Sequence, residues 1–148
     1  MRIEFEHSCI LLKTTHHAKK IVTIRTKDGR QFNKLGDKPE LQNVRSQIDS
    51  ILYPHRPSRL LVGPLRLSIT VTWPWNTSDP KRITNNHDRW PHETKPDCEN
   101  LAKGLVDGMV RNCYFAEDSR VVDLRVRKFR GDNPSVKIIL EELNESQP

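Results

Sequence analysis

The sequence predicts an α+β domain in which β-sheet packs against two main helices. Three observations carry this. Alternating apolar and polar residues mark strands near both ends of the chain and in its middle. Two other segments carry the apolar spacing of amphipathic helices. The 148 residues suit one domain, residues 1–148, and leave no room for two independent cores.

The elements follow in order. Ile3, Phe5, His7, Cys9 and Leu11 alternate over residues 1–13 and predict a strand with one buried face. Ile21 to Arg25 predicts a second strand, and Asp28-Gly29 is a two-residue hairpin signal leading into Arg30-Gln31-Phe32. From Pro39 to Tyr53 the apolar residues Leu41, Val44, Ile48, Ile51 and Leu52 keep a helical period, and Pro39 suits a first helical turn. After the break at Pro54, Pro57 and Pro64, the run Leu65, Leu67, Ile69, Val71, Trp73 gives the cleanest half-buried strand. Residues 74–96 show no period and are expected to form a long loop. Its mixture of Trp75 and Trp90 with Lys81, Arg82, Arg89 and Lys95 fits a nucleic-acid contact. The competing reading is that Trp73, Trp75 and Trp90 only cover the edges of the core. A second helix is predicted from Cys98 to Arg111, then strands over 121–130 and 135–142 around a Gly131-Asp132-Asn133-Pro134 turn, with a frayed tail from Asn144.

Composition excludes several classes. Hydrophobic residues are only 34% and mean hydropathy is -0.72, so a small core and a very polar surface are expected. No apolar run approaches the roughly 18 residues of a membrane span. Arg2, Glu4 and Glu6 stand where the apolar segment of a signal peptide would begin, so the expected location is cytoplasmic. The 25 Lys and Arg against 19 Asp and Glu give a net charge of +6, which suits a polyanionic partner without requiring one. Cys9, Cys98 and Cys113 include no C-x-x-C pair and are expected to be reduced and structural. A zinc site drawn from His7, Cys9, His16 and His17 matches no closed tetrahedral spacing.

The chemically informative stretch is Lys95-Pro96-Asp97-Cys98-Glu99-Asn100-Leu101-Ala102-Lys103, with Asp107 four residues on and Glu117-Asp118-Ser119 beyond. On a helix, Glu99, Lys103 and Asp107 share one face, while Leu101, Leu105 and Met109 form a separate apolar row. Asp97 and Glu99 at the helix start make a carboxylate pair, and neighbouring carboxylates repel unless a cation neutralises them. Mg²⁺ or Mn²⁺, which take oxygen ligands, fit such a pair, and Asp118 is a candidate third ligand. Each residue also has a plain structural reading: Asp97 as a helix cap, Glu99 and Lys103 as an i,i+4 ion pair, Asp118 as a turn residue. Together, acids for a metal, a lysine for developing charge and surrounding cations are the parts that phosphodiester cleavage needs. Arg125, Arg127, Lys128 and Arg130, within the basic strand after Asp118, are expected to form a phosphate track.

The pattern Lys-Pro-Asp-x-Glu-Asn-Leu-x-Lys-x-x-x-Asp at 95–107, then Glu-Asp-Ser at 117–119 and a basic strand, resembles the RusA family of Holliday junction resolvases, or crossover junction endodeoxyribonucleases. The resemblance covers about residues 95–142. It implies a RusA-like α+β fold with a mixed β-sheet. It also implies catalytic residues Asp97, Glu99, Lys103 and Asp118, with the three acids holding Mg²⁺ or Mn²⁺. The implied activity is paired nicking of four-way DNA junctions by a homodimer, in recombination and repair, in a family common in phages and prophages. Tyr114 and Phe115 are the candidate apolar residues for the dimer contact. Glu99 departs from the usual Asp and Glu117 replaces another Asp. The alternative is a catalytically inactive, structure-selective DNA-binding protein. A nuclease of the PD-(D/E)xK type needs an acid-x-Lys pair on a strand, whereas Glu99 and Lys103 lie four apart on a helix. A cytosolic module with a merely solvated basic face would leave every acid structural.

Overall fold

The computed structural model describes residues 1–13, 19–37 and 39–144. A five-stranded sheet is built from β1 (Arg2–Ser8), β4 (Leu65–Pro74), β5 (Arg89–Pro91), β6 (Val121–Gly131) and β7 (Ser135–Glu142), in the order β1-β7-β4-β6-β5. The β4–β6 pair is parallel and the other pairs are antiparallel, so the sheet is mixed. The predicted hairpin is β2 (Lys19–Arg25) and β3 (Gln31–Asp37), which form a separate two-stranded sheet. Gly29 turns it at φ +83°, a conformation glycine adopts without steric cost.

The two main helices, α1 (Pro39–Leu52) and α3 (Cys98–Arg111), match the predicted apolar spacing almost to the residue. They pack against each other, and their buried rows, including Ile48, Leu52, Leu101 and Leu105, join Leu67, Ile69 and Val71 of β4 in one core. At the end of α3, Cys113 takes the left-handed φ of 59°, and its N–H and that of Tyr114 donate to the carbonyls of Val110 and Met109. This reversal closes the helix with its last carbonyls satisfied.

Several expectations change. Tyr114 and Phe115 are not surface residues for a dimer contact; both are fully buried, and the Tyr114 hydroxyl donates to the Leu52 carbonyl at 2.7 Å. Burial raises the phenol pKa. Their place in the core follows from the tight turn after α3, which directs the chain back under α1. The first strand ends at Ser8, and beyond it Leu11 is buried with its carbonyl accepting from Trp73 Nε1. Residues 74–96 are not featureless: they hold a short helix α2 (Lys81–Thr84) and β5. All three cysteines are free thiols, and Cys98 and Cys113 are exposed rather than structural. His16 and His17 of the zinc drawing, and all of the predicted tail except Asn144, lie outside the described residues. Among the described residues no helix is long and apolar enough to cross a membrane.

Gly108 marks the close approach of the two helices. A Cβ there would lie 2.4 Å from Ile48 Cγ2 and 3.0 Å from Leu52 Cδ1. Gly→Ala inside a helix ordinarily gains about 1 kcal/mol. Here Gly108→Ala is expected to lose on the order of 1–3 kcal/mol, because overpacking outweighs propensity. Urea denaturation checks this, and a higher midpoint for the variant would show that the helices separate readily.

Candidate nuclease site

The motif acids sit on the connection that joins two parallel strands. β4 and β6 run the same way, so the chain must cross back between them, and α3 makes that return. Asp97 occupies the N-cap position of α3, but its side chain makes no capping hydrogen bond, so the plain capping reading does not account for it. Glu99 and Lys103 are exposed one turn apart and do not form the ordinary ion pair. Asp118 opens a 3₁₀ turn, Asp118–Arg120, that packs against α3.

The two ends of α3 carry different acids. Asp118 lines a cavity of about 550 Å³ together with Glu117, Asp107, Val110 and Arg111, at the C-terminal half of the helix. Asp97 and Asp107 are ten residues apart, roughly 15 Å along the axis. The sheet gives the same picture: Lys128 reaches the peptide before Asp97, whereas Asp118 precedes the start of β6, and residues 121–128 span roughly 23 Å. The structure therefore does not bring Asp118 to Asp97 and Glu99 within one chain. Among the described residues no group of three or more His, Cys, Asp or Glu is arranged to hold a metal ion. The donor chemistry nevertheless suits a hard divalent cation, since all three side chains offer exposed carboxylate oxygens. Asp107, which the motif contains and the helical spacing aligns with Glu99 and Lys103, lies beside Asp118 at the same cavity.

The segment before Asp97 is held by side chains that sequence alone does not reveal. Lys128 Nζ donates to the carbonyls of Thr94 and Pro96, each at 2.8 Å. The His92 amide donates to the Lys128 carbonyl at 3.0 Å, and the Thr94 amide donates to His92 Nδ1 at 3.2 Å. The His92 ring is buried edge-on to Trp73, at 5.1 Å between centroids. Burial, with Arg130 and Lys128 nearby, holds its pKa down at about 4. A neutral ring that accepts at Nδ1 carries its proton on Nε2.

The expected phosphate track does not form a single row. Strand side chains alternate, so Lys128 and Arg130 share the helix-side face with Val71 and Trp73, while Arg125 and Arg127 lie on the opposite face beside Ser68 and Thr70. Arg127 donates to Thr70 Oγ1 at 3.1 Å, and Lys128 is committed to backbone carbonyls. Arg125 is exposed. Lys81, Arg82 and Lys95 are exposed, and the Arg89 guanidinium lies 4.3 Å from the Phe129 ring centroid. The tryptophans divide: Trp73 covers the core, Trp75 is half-buried with Nε1 donating to Asp132 at 2.8 Å, and Trp90 is exposed.

Two outcomes follow from this clamp. Lys128→Met keeps the aliphatic stem and removes the donor, so stability should fall by about 1–3 kcal/mol. Amide exchange across residues 94–98 should quicken; unchanged exchange would mean that Lys128 does not hold the segment. His92 has the opposite dependence on acid from a paired cation. The unfolded ring takes a proton near pH 6.5 and the folded ring only near pH 4, so its stabilising contribution is complete above pH 6.5 and is lost as pH falls toward 4. Unfolding free energies at pH 4 to 7 should therefore show a slope in the native chain that His92→Gln reduces.

Comparison with known proteins bears on the whole chain. A family model described as Endodeoxyribonuclease RusA matches residues 17–141. The chain is 31% identical over 98 residues to the "Uncharacterized protein YqaN" of Bacillus subtilis (strain 168), covering 61% of this chain and 66% of that protein. It is 26% identical over 148 residues to the "Crossover junction endodeoxyribonuclease rusA" of Lactococcus phage r1t, covering 97% of this chain and all of the phage protein. The similarity thus extends well beyond residues 95–142 and takes in the hairpin, α1 and β4. With its mixed sheet and its motif acids on the crossover helix, the chain belongs to the RusA endodeoxyribonuclease family.

Proposed function

We propose that the protein is a divalent-metal-dependent crossover junction endodeoxyribonuclease that resolves four-way DNA junctions by paired nicks, acting as a homodimer. The observation that carries this reading is the state of the motif side chains. Asp97, Glu99, Lys103 and Asp118 are exposed and have no side-chain partner among the described residues, as is also true of Glu40, Asp88 and Glu93, whereas Glu4, Asp49, Asp123, Glu141 and Glu142 are each ion-paired. Among the described residues, the motif alone sets such acids beside an unpaired lysine on one helix. Unpaired acids in a basic protein suit a charged ligand better than a structural role.

Asp97, Glu99 and Asp118 would hold Mg²⁺ or Mn²⁺. When bound, the ion supplies Lewis-acid neutralisation of the scissile phosphate and a water of lowered pKa. Lys103, one turn along the helix from Glu99, offsets the negative charge that builds on the phosphate. The opposite placement of Asp118 and Asp97 along α3 gives dimerisation a chemical role. A two-fold partner lying antiparallel along α3 would supply its own Asp118 to the first chain's Asp97 and Glu99, making two equivalent composite sites for two strands. The exposed cations Lys81, Arg82, Lys95 and Arg125 supply affinity for the DNA backbone.

Cleavage of a synthetic four-way junction, with and without Mg²⁺ or Mn²⁺, tests the activity and separates it from the inactive DNA-binding alternative. Asp97→Asn and Asp118→Asn should each abolish cutting while retaining junction binding. Mixing and reassembling the two inactive variants should restore nicking, because a composite site built from one chain's Asp97 and the other's Asp118 is then intact. Sites formed within single chains would leave the mixture inactive. Lys103→Ala should slow cleavage more than it weakens binding.

A further inference from the structure

The long connection between β4 and α3 encloses a cavity of about 390 Å³ that the cleavage chemistry does not use. Trp75, Trp90 and Ile83 form apolar walls, and Asn76, His92 and Arg130, with the acids Asp79 and Glu93, bring polar groups to it. This balance of apolar surface and a few polar groups, at this volume, is that of a small-molecule site. We propose that the cavity receives one unpaired nucleobase of a branched DNA substrate, stacked against Trp90 and read at its edge by Asn76 and Arg130. The proposal deepens the junction-nuclease reading and rests on it.

Three features favour a nucleobase. Trp90 is 39% exposed although it lines the cavity, and Trp75 is anchored through Asp132, so one aromatic wall is accessible and the other is fixed. Base–aromatic stacking tolerates any base because every base has a π-face. The Asn76 side-chain amide has no partner among the described residues, and Arg130 has only a long 3.5 Å contact to Thr94 Oγ1, so both keep hydrogen-bonding capacity for a base edge. Cations stand at the rim, although Asp79 and Glu93 belong to the lining: Lys81 and Arg82 are exposed on the short helix that contributes Ile83, and Lys95 follows Thr94. These charges fit the phosphates flanking a stacked base. The cavity beside Asp107, Glu117 and Asp118 sets those three acids against Arg45 and Arg111 and offers no aromatic wall for a base.

An intact duplex keeps its bases paired and stacked, whereas a strand exchange point can release one at lower cost. The same loop that lines the cavity runs through Thr94 and Pro96, held by Lys128, directly into Asp97. A captured base would therefore set which phosphate lies next to the acids.

The test is equilibrium binding of the full chain to fluorescent four-way junctions in EDTA, so that no cleavage occurs. One nucleotide around the exchange point is replaced in turn by an abasic residue. Base removal at one or more positions should weaken binding about tenfold, as loss of one stacked base does. Trp90→Ala should weaken binding to the intact junction by a similar factor and abolish the further penalty at that position, while Trp90→Phe should restore most of it. A native chain that binds the junction equally at every abasic position would overturn the base pocket alone. Equal weakening of intact and abasic junctions by Trp90→Ala would do the same, since it would make Trp90 a structural support. Failure of the native chain to prefer a junction over duplex would overturn the junction-nuclease reading and this one with it.

Discussion

The parallel pairing of β4 with β6 is the constraint from which the rest of this molecule follows. Two adjacent parallel strands cannot be joined by a tight turn, so the chain must cross from the end of one to the start of the other, and here the crossover contains α3. The helix buries Leu101, Leu105 and Met109 against the sheet and α1, leaving Glu99, Lys103 and Asp107 to solvent. Burial and chemistry thus occupy opposite sides of one element. The crossover also sets direction: α3 runs back along the sheet, so its first acids and the acids that follow it stand at opposite ends.

That separation changes the meaning of the motif. Read along the chain, Asp97, Glu99 and Asp118 look like three ligands of one ion. In the fold they belong to two ends of a helix, which is why the proposed site draws on a second copy. In the proposed dimer, a second copy would complete the site as well as present two sites to two strands. The contact does not run through Tyr114 and Phe115, which serve the core.

The loop before α3 is held on its approach to Asp97 by side chains of the sheet and of the loop itself. Lys128 Nζ and His92 Nδ1 bond to backbone groups of residues 94–96. A basic strand would ordinarily be read as a phosphate surface, yet its alternation sends half of its cations to the helix side, where they organise this loop. Glu142 is a structural acid of a similar kind: it accepts from the amides of Val62 and Gly63 and pairs with Arg59, which holds its carboxyl down at about 2.

Local features were legible from the residues alone. Apolar spacing located α1, α3 and β4, Asp28-Gly29 marked the hairpin, and the acid–acid–lysine order pointed to the family, because each of these signals lies within a few residues of chain. The short α2 and β5 were hidden, since elements of four and three residues show no period. Tertiary structure alone decided which strands are parallel neighbours, that Tyr114 and Phe115 are interior, that Lys128 is a clamp, and that two tryptophans far from regular sequence patterns enclose a cavity. These outcomes depend on contacts between distant parts of the chain, and pairing across a sheet leaves no trace in the spacing of neighbouring residues.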